Sequence, residues 1–180
     1  MAAQDIAAAL ERVRTVLKRR PEAGIHDDAP ATARWAGGLR IDAGHPNGAS
    51  VPTDMPTELG GSGDQVSPGW LFRAGLASCA ATCIGLAAAD EGVELNLLEV
   101  VASSRSDLRG LVGLPGADGA PVSAASQDLS LSVRIGARGV APERLRALAE
   151  RGLRGSPVYT ALQPAVPMAL HIEVDEAVAG

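Results

Sequence analysis

Apolar residues recur along this chain with two periods, one near 3.6 and one of 2, and together they predict most of the elements. Residues 3–20 place Ile6, Leu10, Val13 and Leu17 at alternating four- and three-residue spacing, with Arg and Lys on the other faces. This predicts an amphipathic helix that needs a partner surface. Pro21 to Pro30 has the composition of a linker. Ala31–Ala43 predicts a strand pair turning at Gly37-Gly38, followed by a short strand near Ala49–Thr53. The Gly-, Pro-, Asp- and Ser-rich stretch up to residue 67 predicts a long surface loop, a feature more often functional than idle in a compact domain.

The longest low-polarity run starts at Ser67-Pro68, a good N-cap followed by a proline at the first helical position, and ends at Asp90-Glu91-Gly92. It predicts a helix roughly 35 Å long, with Phe72, Leu76, Cys79, Cys83 and Leu86 on one apolar face. The rest of its circumference is nearly as apolar, which is the mark of a buried helix. Beyond it, β character runs through Val93–Arg105, and Asp107–Ser126 reads as a loop or broad hairpin connection. Gln127–Ala137 alternates at Leu129, Leu131, Val133 and Ile135, which predicts a half-buried strand. Pro142 opens a second helix with Leu145, Leu148, Ala149 and Leu153 as its buried stripe and Arg151 and Arg154 near its end. Ser156-Pro157 opens a short helix to about Leu162, and Pro164 and Pro167 precede a last strand, Met168–Val174. This order, with its antiparallel-style alternation, indicates an α+β fold and not a doubly wound sheet. The expected organisation is an N-terminal helix and linker over residues 1–30 and one domain over 31–180.

Composition narrows the function. A length of 180 residues, 46% hydrophobic and 21% charged, suits a soluble domain with a real core. A net charge of −5 argues against a nucleic-acid surface. Residues 1–20 nevertheless hold five cations against two anions, a local +3 that leaves −8 for the rest. No apolar leader with a cleavage site is evident at the N-terminus. The Ala74–Ala89 run is short, and weak in large apolar residues, for a membrane crossing. Two cysteines four positions apart do not form a disulfide framework, so a cytoplasmic protein is expected.

The chemistry on offer is limited. His26, His45 and His171 belong to no ligand or triad motif, and no phosphate loop, Gly-x-Ser-x-Gly elbow or His-Glu-x-x-His occurs. That leaves Cys79 and Cys83. They can be small core hydrophobes or an internal redox pair, although i,i+4 neighbours on a helix sit too far apart for an unstrained disulfide. Chelation of a metal would need two further ligands that the sequence does not offer. A nucleophilic thiolate would need a nearby cation, for which Arg34, Arg40 and Arg73 are candidates. Arg73 falls about 120° around the helix from Cys79, so an arginine of the first strand pair fits better.

Several short motifs then acquire meaning through their order. They are Thr57-Glu58-Leu59-Gly60-Gly61, Ser67-Pro68, Ala77-Ser78-Cys79 with the cysteine eleven residues after that proline, Asp107-Leu108-Arg109-Gly110, and Ser156-Pro157-Val158. From about Ala31 onward the chain resembles the family of osmotically inducible protein C and the organic hydroperoxide resistance proteins. The resemblance implies an OsmC-like α+β fold, with antiparallel sheets wrapped around two central helices in an intertwined homodimer. It implies a thiol-dependent reductase of organic hydroperoxides in oxidative-stress defence. Its peroxidatic cysteine matches Cys79, and it is activated by an arginine (Arg34 or Arg40 here) that a glutamate orients. A second cysteine resolves the sulfenic acid, and dithiols recycle the enzyme. No cofactor and no metal are implied. Gly69 stands where that glutamate would be, and Ser156, which is well explained as an N-cap, stands where the resolving cysteine would be. Cys83 is the secondary thiol. Trp70, Phe72 and Tyr159, close in sequence to the reactive positions, are candidate pocket residues. The expected partners are a second copy of the chain, a small hydroperoxide and a thiol reductant, with neither nucleic acid nor membrane. The competing expectation is a non-enzymatic OsmC-like protein that binds an apolar small molecule at the dimer pocket.

Overall fold

The computed structural model describes residues 3–164 and 168–174, so Pro167 lies outside the described residues. In chain order the elements are α1 (Ala3–Arg19), β1 (Thr32–Gly37), β2 (Arg40–Gly44), β3 (Ser50–Thr53), α2 (Pro68–Asp90) and β4 (Leu97–Arg105). They continue with α3 (Leu108–Leu111), β5 (Gln127–Gly136), α4 (Pro142–Arg154), α5 (Pro157–Leu162) and β6 (Met168–Val174). Short 3-10 turns occupy Pro21–Gly24 and Thr57–Leu59. The α+β class holds. The chain forms two compact units, residues 11–74 and residues 1–10 with 75–180.

In the unit of residues 11–74, β1, β2 and β3 form an antiparallel sheet in that order. The turn between β1 and β2 uses Gly38 at φ 56°, a left-handed conformation that glycine adopts without a Cβ penalty. Trp35 donates its indole N–H to the Gly38 carbonyl at 2.9 Å but leaves 73% of its surface exposed. Every buried hydrophobic side chain among the described residues comes from Leu76 onward, so this sheet has no dry core of its own.

In the other unit, β4 pairs antiparallel with β5, and β6 lies on the far side of β5. Here the structure corrects the expectation of wholly antiparallel sheets. β6 runs parallel to β5, from Leu129 beside Met168 to Ile135 beside Val174. The cause is the connection: α4 and α5 intervene between the two strands, and such a crossover returns the chain in the same direction. Leu129, Leu131, Val133 and Ile135 of β5 form the floor of the core. The α4 stripe of Leu145, Leu148, Ala149 and Leu153 packs into the same cluster, as does an α2 stripe of Leu76, Ala80, Ile84 and Ala88. The Asp107–Ser126 connection also holds a one-turn helix that the sequence pattern did not reveal, α3, with Asp107 as its cap.

α2 differs from its expected burial. Its covered stripe follows i,i+4 spacing, whereas Trp70, Phe72 and Leu86 are at least 37% exposed. One stripe meets the core, and Trp70, Phe72 and Leu86 lie off it. At 23 residues α2 is long and apolar enough to cross a membrane by length and composition, so the 16-residue run understates it. Its core stripe accounts for part of that apolar character without a bilayer. The C-terminus of α2 stops as predicted: Gly92 is left-handed at φ 68°, and the Val93 N–H returns to the Ala88 carbonyl at 2.9 Å. Arg151 of α4 donates to the Ala87 carbonyl at 2.7 Å and pairs with Asp90 and Glu91, each at 3.3 Å.

The two helices meet at Gly152. A Cβ there would lie 2.5 Å from the Ile84 Cα, so only glycine permits this approach. Gly152→Ala is expected to destabilise the protein by about 1–3 kcal/mol, because it overpacks a helix contact. Alanine's better helix propensity alone predicts the opposite sign. Urea denaturation of the two proteins decides between these outcomes.

Candidate functional site

The Gly152 contact positions the next turn of the chain against α2. Going forward from Gly152 on α4 and backward from Ile84 on α2, Gly155 meets Cys83, and Ser156 meets Cys79. The Cys83 S–H donates to the Gly155 carbonyl at 3.4 Å, and the Ser156 hydroxyl donates to the Cys79 sulfur at 3.2 Å. Both cysteines are free and partly buried. Ser156 is 0% exposed.

Ser156 also fills the predicted capping role. Its Oγ accepts the Tyr159 N–H at 3.4 Å at the start of α5. Its own N–H donates to the Leu153 carbonyl at 3.0 Å, and its carbonyl accepts from the Thr160 hydroxyl at 2.8 Å. The single hydroxyl therefore serves two partners, the helix end and the sulfur.

The two thiols are not equivalent. Burial pushes the Cys83 thiol above its usual value, and its electrostatic interaction and hydrogen bond with the neighbouring Cys79 act in the same direction. Cys83 is thus held as a proton-bearing donor, while the Cys79 sulfur accepts. The helix between them is unbroken, so an internal disulfide would need the distortion expected from i,i+4 spacing.

The other predicted residues fall elsewhere. Tyr159 packs on the hydrophobic core next to Ser156. Trp70, Phe72, Arg34 and Arg40 belong to the unit of residues 11–74. Arg34 lies exposed on β1. Gly69 does not have a positive φ, and a Cβ there would meet Arg73 at an ordinary 3.7 Å, so the backbone does not demand glycine at this position. Among the described residues, no group of three or more His, Cys, Asp or Glu side chains is placed to hold a metal ion.

Arg40 is the centre of a second cluster, which sequence reasoning missed. Its guanidinium pairs closely with Asp64 and reaches Asp54 at 3.5 Å. Asp54 is buried and accepts the backbone N–H groups of Met55 at 2.7 Å and Ser62 at 3.0 Å. The loop wraps so tightly here that a Cβ on Gly61 would lie 1.9 Å from the Met55 carbonyl oxygen. The Glu58-Leu59-Gly60-Gly61 motif therefore forms the tight turn that brings the Ser62 N–H back to Asp54, with Gly60 left-handed at φ 85°. The only sequence signal was a lone Asp between strand and loop, with the Gly60-Gly61 pair shortly after it. The Asp107-Leu-Arg-Gly motif has a similar explanation: Asp107 caps α3 and grips the Arg109 guanidinium, and Gly110 fits closely against Ser123.

The fold is α+β, with a cysteine of the long helix α2 set against the start of the short helix α5. The OsmC-like protein family model matches residues 61–171, and the chain belongs to that family. No curated protein matches the chain. Solved structures do. An OsmC-like protein of Mycoplasma pneumoniae is 14% identical with a TM-score of 0.69, over 84% of this chain and 100% of that one. An organic hydroperoxide resistance protein of Elizabethkingia anophelis is 21% identical with a TM-score of 0.64, over 84% and 99%. Another, of Legionella pneumophila, is 20% identical with a TM-score of 0.61, over 83% and 99%. At these identities the likeness is one of fold.

Two outcomes are expected. Peptide mapping after limited alkylation near pH 8 should find label on Cys79 before Cys83, with Cys83 gaining reactivity only above the usual thiol range of about 8.5. The second concerns acid. Backbone N–H groups from Ser62 and Met55 hold the Asp54 carboxyl below the ordinary carboxylate range, and Arg40 does the same for Asp64. The stability they contribute is fully present above the unfolded value of about 3.9 and is lost as pH falls through the lowered native values. Amide exchange should show Met55 and Ser62 protected at pH 5 and unprotected in stronger acid, and Asp54→Asn should lack that dependence.

Proposed function

We propose that this chain is a thiol-dependent hydroperoxide reductase that acts as a homodimer, with Cys79 as its nucleophile and no second protein cysteine in the cycle. The observation that carries this reading is the Ser156 hydroxyl donating to the Cys79 sulfur at 3.2 Å. A buried donor aimed at one of two adjacent sulfurs singles that sulfur out. Membership of the OsmC-like family, and the fold shared with two organic hydroperoxide resistance proteins, support the choice of oxidant.

The cycle balances with two reactants. The Cys79 thiolate attacks the terminal oxygen of an organic hydroperoxide; an S–O bond forms and the O–O bond breaks. The sulfur is oxidised to a sulfenic acid, and the leaving alkoxide takes a proton and departs as the alcohol. An external thiol then attacks the sulfenic sulfur, forming a mixed disulfide as the hydroxyl leaves as water. A second thiol reduces that disulfide and releases Cys79. A thiolate needs a nearby cation; the candidates the sequence offers are Arg34, exposed on β1, and Arg40, which already pairs with Asp54 and Asp64. The dimer reading rests on the β1–β3 sheet without buried hydrophobic side chains and on the exposed Trp70, Phe72 and Leu86 of α2. A three-stranded sheet without a dry face does not stand alone in water. The same exposed Trp70 and Phe72 would favour the binding-protein alternative, if peroxide is not consumed.

Cys79→Ser should abolish consumption of an organic hydroperoxide in the presence of a small thiol, by at least about a hundredfold, while Cys83→Ser keeps most of it. Ser156→Cys should add a peroxide-dependent disulfide between Cys79 and the introduced thiol, seen as a linked peptide by mass spectrometry. Wild-type protein that consumes no hydroperoxide under any thiol would exclude the reductase reading.

A further inference from the structure

We infer that Ser156 is itself a catalytic residue of this site. Its hydroxyl holds negative charge on the Cys79 sulfur before oxidation and holds the sulfenic acid afterwards in a form that only an external thiol can resolve. The inference rests on the reductase reading for its second half and on geometry alone for its first.

Three observations converge on Ser156. Its side chain is fully buried, so no water competes for the hydroxyl. Its backbone is held in place, with the N–H and C=O both bonded, and one of the two Oγ lone pairs accepts the Tyr159 N–H at 3.4 Å. The rotatable O–H proton is free to donate, and the acceptor within its reach is the Cys79 sulfur at 3.2 Å. A hydrogen bond to a charged acceptor away from water is among the stronger kinds. An N-cap alone needs only the acceptor half of the hydroxyl, so the donor half is left for the sulfur.

The neighbouring thiol strengthens the assignment. The Gly155 carbonyl engages the Cys83 proton at 3.4 Å, one residue before Ser156. The same turn thus keeps one sulfur protonated and offers a proton to the other. Oxygen at position 156 also sets the course after oxidation. Ser156 cannot form a disulfide with the sulfenic sulfur, and Cys83 is held by Gly155 on an unbroken helix. The intermediate therefore persists until a small external thiol enters.

The test uses the full chain with Ser156→Ala, Ser156→Gly and Ser156→Thr. Glycine is nearly as good an N-cap as serine, so Ser156→Gly keeps the fold without the hydroxyl if the alanine variant is unstable. The primary readout is the pH dependence of Cys79 alkylation by iodoacetamide, resolved by peptide mass, with no peroxide present. Ser156→Ala and Ser156→Gly are expected to lower the rate at pH 7 by about tenfold, with the midpoint moved to higher pH. Ser156→Thr should restore most of both. A folded hydroxyl-free variant with the wild-type pH profile would overturn the inference. The second readout is the lifetime of the sulfenic acid after one equivalent of organic hydroperoxide, trapped with dimedone. It should be long in the wild type and shortened by disulfide formation in Ser156→Cys. If the wild type never forms a sulfenic acid while the alkylation profile shifts as expected, the reductase reading fails and the charge-holding role of Ser156 stands.

Discussion

The approach of α4 to α2 at Gly152 is the constraint on which the candidate site depends. Helices normally pack 8–10 Å apart, with side chains between them. Here the absence of one Cβ lets the Gly152 backbone reach the backbone of Ile84. Both residues lie in the main core cluster or beside it. A shift of either helix would carry Gly155 and Ser156 away from the two sulfurs. Geometry at Cys79 is therefore fixed by packing one turn away, and Arg151 reinforces it by clamping the end of α2. Rigidity at a thiol comes here from a contact that contains no chemistry.

Most elements were legible because their signals are local. Ser67-Pro68, Ser156-Pro157 and Gly92 mark helix ends by mechanisms that do not depend on the rest of the fold. The alternation at Leu129–Ile135 can face a core in only one register. The direction of β6 was not legible, because alternation is the same in parallel and antiparallel strands. Only the two helices between β5 and β6 carry that information. α3 is one turn long and has no period to detect. For α2, composition gave the apolar character correctly but could not say how much of it a single chain covers.

The site was legible in part for the same reasons. Cys79 stood out by its place in an ordered set of motifs, and Ser156 by its match to a helix start. Nothing in the spacing could show that one hydroxyl serves both the α5 cap and the sulfur, since 77 positions separate Ser156 from Cys79. The Asp54 cradle was illegible for a different reason. Asp54 is buried where a strand ends, which is not a place where a carboxylate announces itself. Its partners are mostly backbone N–H groups, and these leave no trace in the sequence except the glycines that allow their approach.

The two clusters also differ in what they can lose. Asp54 holds its loop through several donors, so removal of any one leaves a charged carboxylate with others. Cys79 has a single side-chain hydroxyl aimed at it. A partly buried acceptor with one such donor is sensitive to that donor in a way a cradle is not, because its loss leaves the sulfur with no compensating partner from the same turn. That asymmetry makes position 156 the more informative one. Oxygen there gives a charged sulfur a proton to lean on. Sulfur there would give it a covalent partner. The choice between them separates a cycle that closes within the protein from one that must borrow its second thiol from solution.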